Sequence, residues 1–246
     1  MATTIAISGK GGSGKTTVAA MMIRALMGRP SNGILAVDAD PNSCLGLTMG
    51  VELTGTVAQL REESRQKQPD SGGMDRVRTF EYGLQQAITE AKGFDLLTMG
   101  RPEGPDCYCA VNNLLRKFMD KLSDSYGFVV IDNEAGMEHL SRRTTNNVDV
   151  LCIAAESSPI GAITAQRIFE LAAELPIAVK RIGVIWNRSE NAGQLNGIES
   201  LGCVPYDQDL FKASMQGGNI FDLGHNSAAF SAVQKILEKL NIAGTD

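Results

Sequence analysis

Gly9-Lys10-Gly11-Gly12-Ser13-Gly14-Lys15-Thr16-Thr17 directly follows the short apolar segment Thr4-Ile5-Ala6-Ile7 and precedes a helix-like stretch. In that order, strand, loop and helix make a phosphate cradle. Gly9, Gly11, Gly12 and Gly14 let successive backbone N–H groups around Ser13 converge on phosphate oxygens, and the helix that follows turns its N-terminus to the same anion. Lys15 is placed to reach the β- and γ-phosphates and the Thr16 hydroxyl to ligate Mg²⁺, with Thr17 completing the nucleotide-binding stretch. A plain strand-to-helix turn would not need so many glycines.

Outward from the cradle, strands and helices alternate. The runs Ile34-Leu35-Ala36-Val37, Phe94 to Met99, Phe128-Val129-Val130-Ile131, Val148 to Ala154 and Ile182 to Trp186 are short and nearly continuously apolar, the pattern of parallel strands covered by helices on both faces. Thr16 to Met27 is apolar almost all round and is expected to pack deep. Ile160 to Leu175 follows Ser157-Ser158-Pro159, a cap with a first-turn proline. Phe230, Val233, Ile236, Leu237 and Leu240 form one stripe of a helix packed on the body. The expected fold is therefore a P-loop NTPase of the α/β class, a single domain over residues 1–246 with a mostly parallel central sheet flanked by helices on both faces. Residues 59–80 are rich in Glu, Arg and Gln and read as a mobile or partner-facing insertion, or as a solvated helix face.

Composition narrows the function. A chain of 246 residues with 43% hydrophobic content can bury a large core. Its net charge of −5 offers no basic field for sequence-independent nucleic-acid binding, so no nucleic acid is expected. No cleavable leader and no apolar stretch of bilayer-spanning length is apparent, which predicts a cytoplasmic protein without a membrane partner. Five cysteines in a reducing compartment are a poor disulfide framework, so a special pair points to metal or redox chemistry.

Three further motifs surround the cradle. Asp38-Ala39-Asp40-Pro41 closes the second strand at the sheet edge where ligands gather; one carboxylate can hold the Mg²⁺ shell while the other orients the attacking water. Asp132, ending the run from Phe128, has the placement of a Walker B acid acting on Mg²⁺ through water. Gly136, four residues on, is placed to give its N–H to the γ-phosphate as a switch. Asn187 either reads the adenine edge or serves as a turn residue, and Pro205 is assigned to the nucleotide site with it. Many related GTPases carry Asn-Lys-x-Asp where this chain reads Asn187-Arg188-Ser189-Glu190, which favours ATP/ADP.

Lys10 projects outward from the cradle and is better placed to serve a neighbour's nucleotide than its own; the plainer alternative is an exposed lysine adding positive field. The pattern resembles the deviant Walker A signature of the family of MinD, the plasmid-partition ATPases and the nitrogenase iron protein. That resemblance implies a homodimer closed by ATP, with Lys10 crossing the interface, Asp40 as the water-activating acid and Asp38 on the magnesium side, so that Lys10, Lys15 and Asp40 carry catalysis.

Cys107-Tyr108-Cys109 lies in a Pro/Gly-rich segment, and residues two apart in an extended chain point the same way. Two sulfurs do not complete a Zn²⁺ or Ni²⁺ site, and only His139 and His225 exist besides. The same motif from a second subunit would supply two more ligands, since an isologous interface joins identical patches. A redox pair, or two unremarkable thiols, are the competing readings. Cys44, Cys152 and Cys203 read as small buried residues. Lys10 and Lys15, Asp38 to Gly46, the Cys-Tyr-Cys motif and Ala135 to Leu140 together resemble the CooC family, ATPases that assist nickel insertion into carbon monoxide dehydrogenase. The resemblance implies Ni²⁺ or Zn²⁺ held between subunits, carbon monoxide dehydrogenase as client and metal release driven by ATP hydrolysis. A positioning or partition switch without metal, and an iron–sulfur carrier, remain alternatives.

Overall fold

The computed structural model describes residues 2–29, 31–66, 81–101, 117–135, 147–175, 177–224 and 226–242. Eight strands form one sheet: β1 (Thr3–Gly9), β2 (Ile34–Asp38), β3 (Ile88–Ala91), β4 (Phe94–Thr98), β5 (Phe128–Asp132), β6 (Asn147–Ala155), β7 (Ala178–Asn187) and β8 (Glu199–Val204). Their order across the sheet is β3-β4-β2-β5-β1-β6-β7-β8. Every neighbouring pair is parallel except the β3–β4 hairpin. The mostly parallel α/β expectation is what the chain adopts, with β3 and β8 as strands added at the two edges.

Burial on both faces explains the continuous apolar runs. Ile34, Ala36, Phe128 and Val130 pack into one core layer, and Leu35, Val37, Val129 and Ile131 into the other. The first layer is closed by α1 (Lys15–Leu26), α2 (Cys44–Thr48) and α6 (Ala228–Lys239), the second by α3 (Val57–Gln66), the helical residues 117–123 and α4 (Pro159–Glu174). Helix α1 buries all of Val18 to Ile23, as its all-round apolarity requires. The Ser158 hydroxyl accepts from the Gly161 N–H at 3.1 Å to start α4, with Pro159 in the first turn, and Ser227 caps α6 the same way.

The segment 59–80 begins inside α3, whose start is held by the Ala58 N–H donating to the Met99 carbonyl at 2.9 Å and by buried Val57. Residues 67–80, the remainder of the expected insertion, lie outside the described residues. Helix α5 (Gln208–Met215) buries none of its residues. Among the described residues, no helix is long and apolar enough to cross a membrane.

Candidate functional site

In the strand order, β1 lies between β5 and β6, so the chain leaves the carboxyl end of β1 at the point where successive connections turn to opposite sides. The glycine loop occupies that crevice. Gly9 has φ +156° and a Cβ there would run into the Ala154 carbonyl; Gly14 has φ +86° and a Cβ would run into the Asn187 amide. Only glycine fits either position.

The loop delivers α1 with its first turn open. Gly14, at the N-cap, gives no side-chain cap, and no acidic residue occupies the first turn. Helices α4, α5 and α6 are each capped by a Ser or Asp side chain. The unsatisfied amides of α1 are thus left for an anion. Lys15 is buried, and its Nζ donates to the Lys10 carbonyl at 3.4 Å. Lys10 is exposed.

Beside the loop, the ends of β2 and β5 place two carboxylates on the α1 face. Register pairs Asp38 with Asp132 and Asp132 with Ile7 of β1, and the parity of Ala36 and Val130 carries both acids onto that face. Both are fully buried. Asp38 Oδ2 accepts from the Leu45 N–H at 2.8 Å and Oδ1 from the Asp40 N–H at 3.2 Å. Neither oxygen of Asp132 has a hydrogen-bond partner of good geometry. Burial is the main cause that pushes Asp132 up to about 7; the Thr16 hydroxyl nearby and the Lys15 charge oppose it, while Asp38 and Asp40 add to it. Burial likewise raises Asp38 to about 6, against the two backbone N–H donors. Two buried acids side by side, opposed only in part by the Lys15 charge and one of them with no hydrogen-bond partner of good geometry, are a donor set suited to a cation. Oxygen donors of this kind suit a hard divalent ion such as Mg²⁺.

Asp40 stands half-buried at the mouth, with Oδ1 accepting from the backbone N–H and the side-chain amide of Asn42 at 2.9 and 2.8 Å. Ala135 approaches Gly11, so the chain after β5 passes against the loop. Gly136 itself, and the Cys107 and Cys109 pair, lie outside the described residues.

On the far side of the loop, the Asn187 amide donates to the Ser13 carbonyl at 2.8 Å. This buckles β7 to the cradle, a role beyond the two readings the sequence offered. Asn187 also lines a cleft of about 420 Å³ with Thr17, Arg188, Pro205, Tyr206 and Phe211, a volume suited to a nucleoside. Arg188, Tyr206 and Phe211 were not singled out from sequence; the signal available was two aromatics in a polar segment following β8. A second cleft, of about 280 Å³, opens on the other flank of the loop between Lys10 and α4.

Of the orphaned buried side-chain atoms among the described residues, those of Ser13, Thr98, Asp132 and Asn133 belong to the loop and to the carboxyl ends of β4 and β5. Asn133 spends its amide on the Ile7 carbonyl at 2.9 Å and leaves its own carbonyl oxygen unpaired. Cys44, expected to be buried, is exposed at the start of α2; partial burial and the neighbouring Asp38, Asp40 and Asp132 hold its thiol above the usual range. Cys152 is buried as expected and Cys203 is half-buried.

Cradle, open helix end and paired strand-end acids define a P-loop nucleotide-binding protein. The sequence profile of the CobQ/CobB/MinD/ParA nucleotide binding domain matches residues 4–220, and the chain belongs to that family. It is 41% identical over 247 residues to an uncharacterized ATP-binding protein of Methanocaldococcus jannaschii, covering 96% of this chain and 97% of that one. It is 30% identical to the carbon monoxide dehydrogenase accessory protein CooC of Rhodospirillum rubrum, covering 89% of each. Among solved structures, the septum site-determining protein MinD of Pyrococcus horikoshii, complexed with Mg-ADP, superposes with a TM-score of 0.67 at 22% identity over 98% of this chain and 96% of that one. That likeness establishes the fold.

Proposed function

We propose that the chain is a Mg²⁺-dependent ATPase that works as a homodimer and carries nickel as cargo to carbon monoxide dehydrogenase during maturation of its metal cluster. The observation that carries the ATPase part is Asp132, buried with both oxygens unpaired beside the loop that bears Lys15. Thr16, Asp132 and Asp38 would hold Mg²⁺, which neutralises charge on the phosphates when bound. Lys15 and the α1 amides bind the β- and γ-phosphates, and Asn187 and Pro205 border the base. Asp40 orients the attacking water at the mouth, and the Gly136 N–H registers the γ-phosphate. Lys10 reaches the nucleotide of the second subunit. An apolar outer surface beside Lys10 supports the dimer, since Ile160 and Ile163 of α4 are 65% and 54% exposed.

The cargo reading is supported by the Rhodospirillum relative and by Cys107 and Cys109, which from two subunits would give four thiolates. A second reading, a positioning or partition switch with no metal, rests on the breadth of the family itself. Anaerobic gel filtration with metal analysis separates the two. With Ni²⁺ or Zn²⁺ the expected result is a dimer holding one ion per two chains, altered by ATP and abolished by Cys107→Ala. A nucleotide-driven dimer that takes up no metal favours the switch, and a brown, iron-bearing dimer favours an iron–sulfur carrier.

A further inference from the structure

The row of polar strand ends that holds the two acids at the carboxyl edge of the sheet has a third member. Thr98, the last residue of β4, pairs in register with Asp38, which pairs with Asp132, so the three stand side by side on β4, β2 and β5. Phe94 and Leu96 of β4 lie in the α1-side core layer, and strand parity turns Thr98 to that same side. The residue is 1% exposed and its hydroxyl has no hydrogen-bond partner among the described residues. Packing alone does not call for that hydroxyl, because valine has the same shape, favours strands at least as well and leaves no buried donor unpaired.

Among the described residues, Asp38 is held on one side only. Its two oxygens accept from Asp40 and Leu45, both downstream of β2, and each oxygen retains a further acceptor position. No hydrogen-bond donor reaches it from β4. Neighbouring strands run about 4.8 Å apart, and the two side chains make no direct hydrogen bond, leaving a gap that one bridging water closes.

We propose that Thr98 is a positioning residue of the metal end of the site: its hydroxyl, joined to Asp38 through an ordered water, completes the grip on the carboxylate that steadies the hydration shell of a divalent cation. This rests on the Mg²⁺–nucleotide reading given above. Through Asp38 the row extends the cation site from two strands to three. It also accounts for a hydroxyl that is otherwise an uncompensated cost in the core.

The test compares Thr98→Val with Thr98→Ser by titrating Mg²⁺ against binding of a fluorescent ADP analogue, with ADP-dependent thermal stabilisation read in parallel. Removing an outer partner of a carboxylate that steadies the cation's hydration shell is expected to raise the half-saturating Mg²⁺ concentration roughly ten-fold. Analogue binding in EDTA should be unchanged, and serine should stay within about two-fold of wild type. Thr98→Ala set against Thr98→Ser gives the same contrast should valine perturb β4. A wild-type Mg²⁺ titration in the valine or alanine variant overturns the proposal, as does a melting-point change that is the same with and without Mg²⁺. Wild-type protein that binds the analogue indifferently to Mg²⁺ would instead remove the metal reading itself, and this inference with it.

Discussion

At the β7–β8 edge, Glu199 accepts two hydrogen bonds from the Arg181 guanidinium at 2.9 and 2.7 Å, and Lys239 stands 3.6 Å away. At the centre of the same sheet, Asp132 is sealed from solvent and both its oxygens are unpaired. The hydrogen bonds from Arg181 hold Glu199 below the usual carboxylate range; burial drives Asp132 to about 7. A charge that serves architecture arrives with its counter-charge built in and stays in contact with water. Beside the glycine loop, Asp132 is buried with no hydrogen-bond partner of good geometry and is offset only in part by the Lys15 charge, so the free energy of satisfying it is reserved for a ligand.

The sharpest way to break that contrast is to remove a charge the central site borrows. If Lys10 acts on the nucleotide of a second subunit, Lys10→Ala should lower ATP turnover on the order of a thousand-fold while ATP still binds, because a charge delivered in trans acts chiefly on the transition state. Asp40→Ala should do the same by leaving the attacking water unoriented. Turnover assays beside equilibrium binding decide it. A rate within a few-fold of wild type in either variant would show that the loop does its chemistry without that residue.

How much of this contrast could be read beforehand depends on how each group announces itself. Asp38 and Asp132 were legible because each ends an apolar strand, and a carboxylate there has no packing reason to exist. The glycine loop was legible because positive φ and close approach leave few other residues able to occupy Gly9 and Gly14. Thr98 occupies the same strand-end position, yet threonine is an ordinary strand residue, so only register and an unpaired oxygen reveal it. The edge strands were hidden for a related reason. Of β3 only Thr89 is buried, and of β8 only Leu201 and Val204, the rest being half-buried, so neither shows the continuous apolar run of a central strand. Helix α5 is amphipathic but spans only Gln208–Met215 and buries none of its residues, too short a stretch for its pattern to stand out. The Asn187–Ser13 hydrogen bond joins residues 174 positions apart, a distance over which local pattern carries no information.

A second, smaller effect sharpens the comparison through pH. Asp132 titrates near 7 in the fold and near 4 in the unfolded chain, so between these values the native state holds the extra proton. Without metal, its contribution is full below about pH 4 and is lost as pH rises through 7. Asp38, raised to about 6, acts in the same direction. Asp132→Asn should therefore stabilise the metal-free protein at pH 7.5 by on the order of 2 kcal/mol and flatten its pH dependence. The same variant should lose Mg²⁺-dependent turnover. Melting curves across pH 4–8 in EDTA provide the check, and a variant less stable than wild type at pH 7.5 would mean that Asp132 has a compensating partner.

The smallest effect belongs to the paired edge. Glu199 and Arg181 are each about a third exposed, so water already screens them and competes for their hydrogen bonds. Glu199→Gln should cost about 1 kcal/mol or less, leave nucleotide binding and turnover unchanged, and approach wild-type stability in high salt, where the lost attraction is screened in both proteins. Chemical denaturation at low and high ionic strength measures this directly. A loss well above 2 kcal/mol would place the pair among the groups that hold β8 to the sheet. A change in turnover would tie the edge to the nucleotide site through β7, whose last residue, Asn187, donates to the loop.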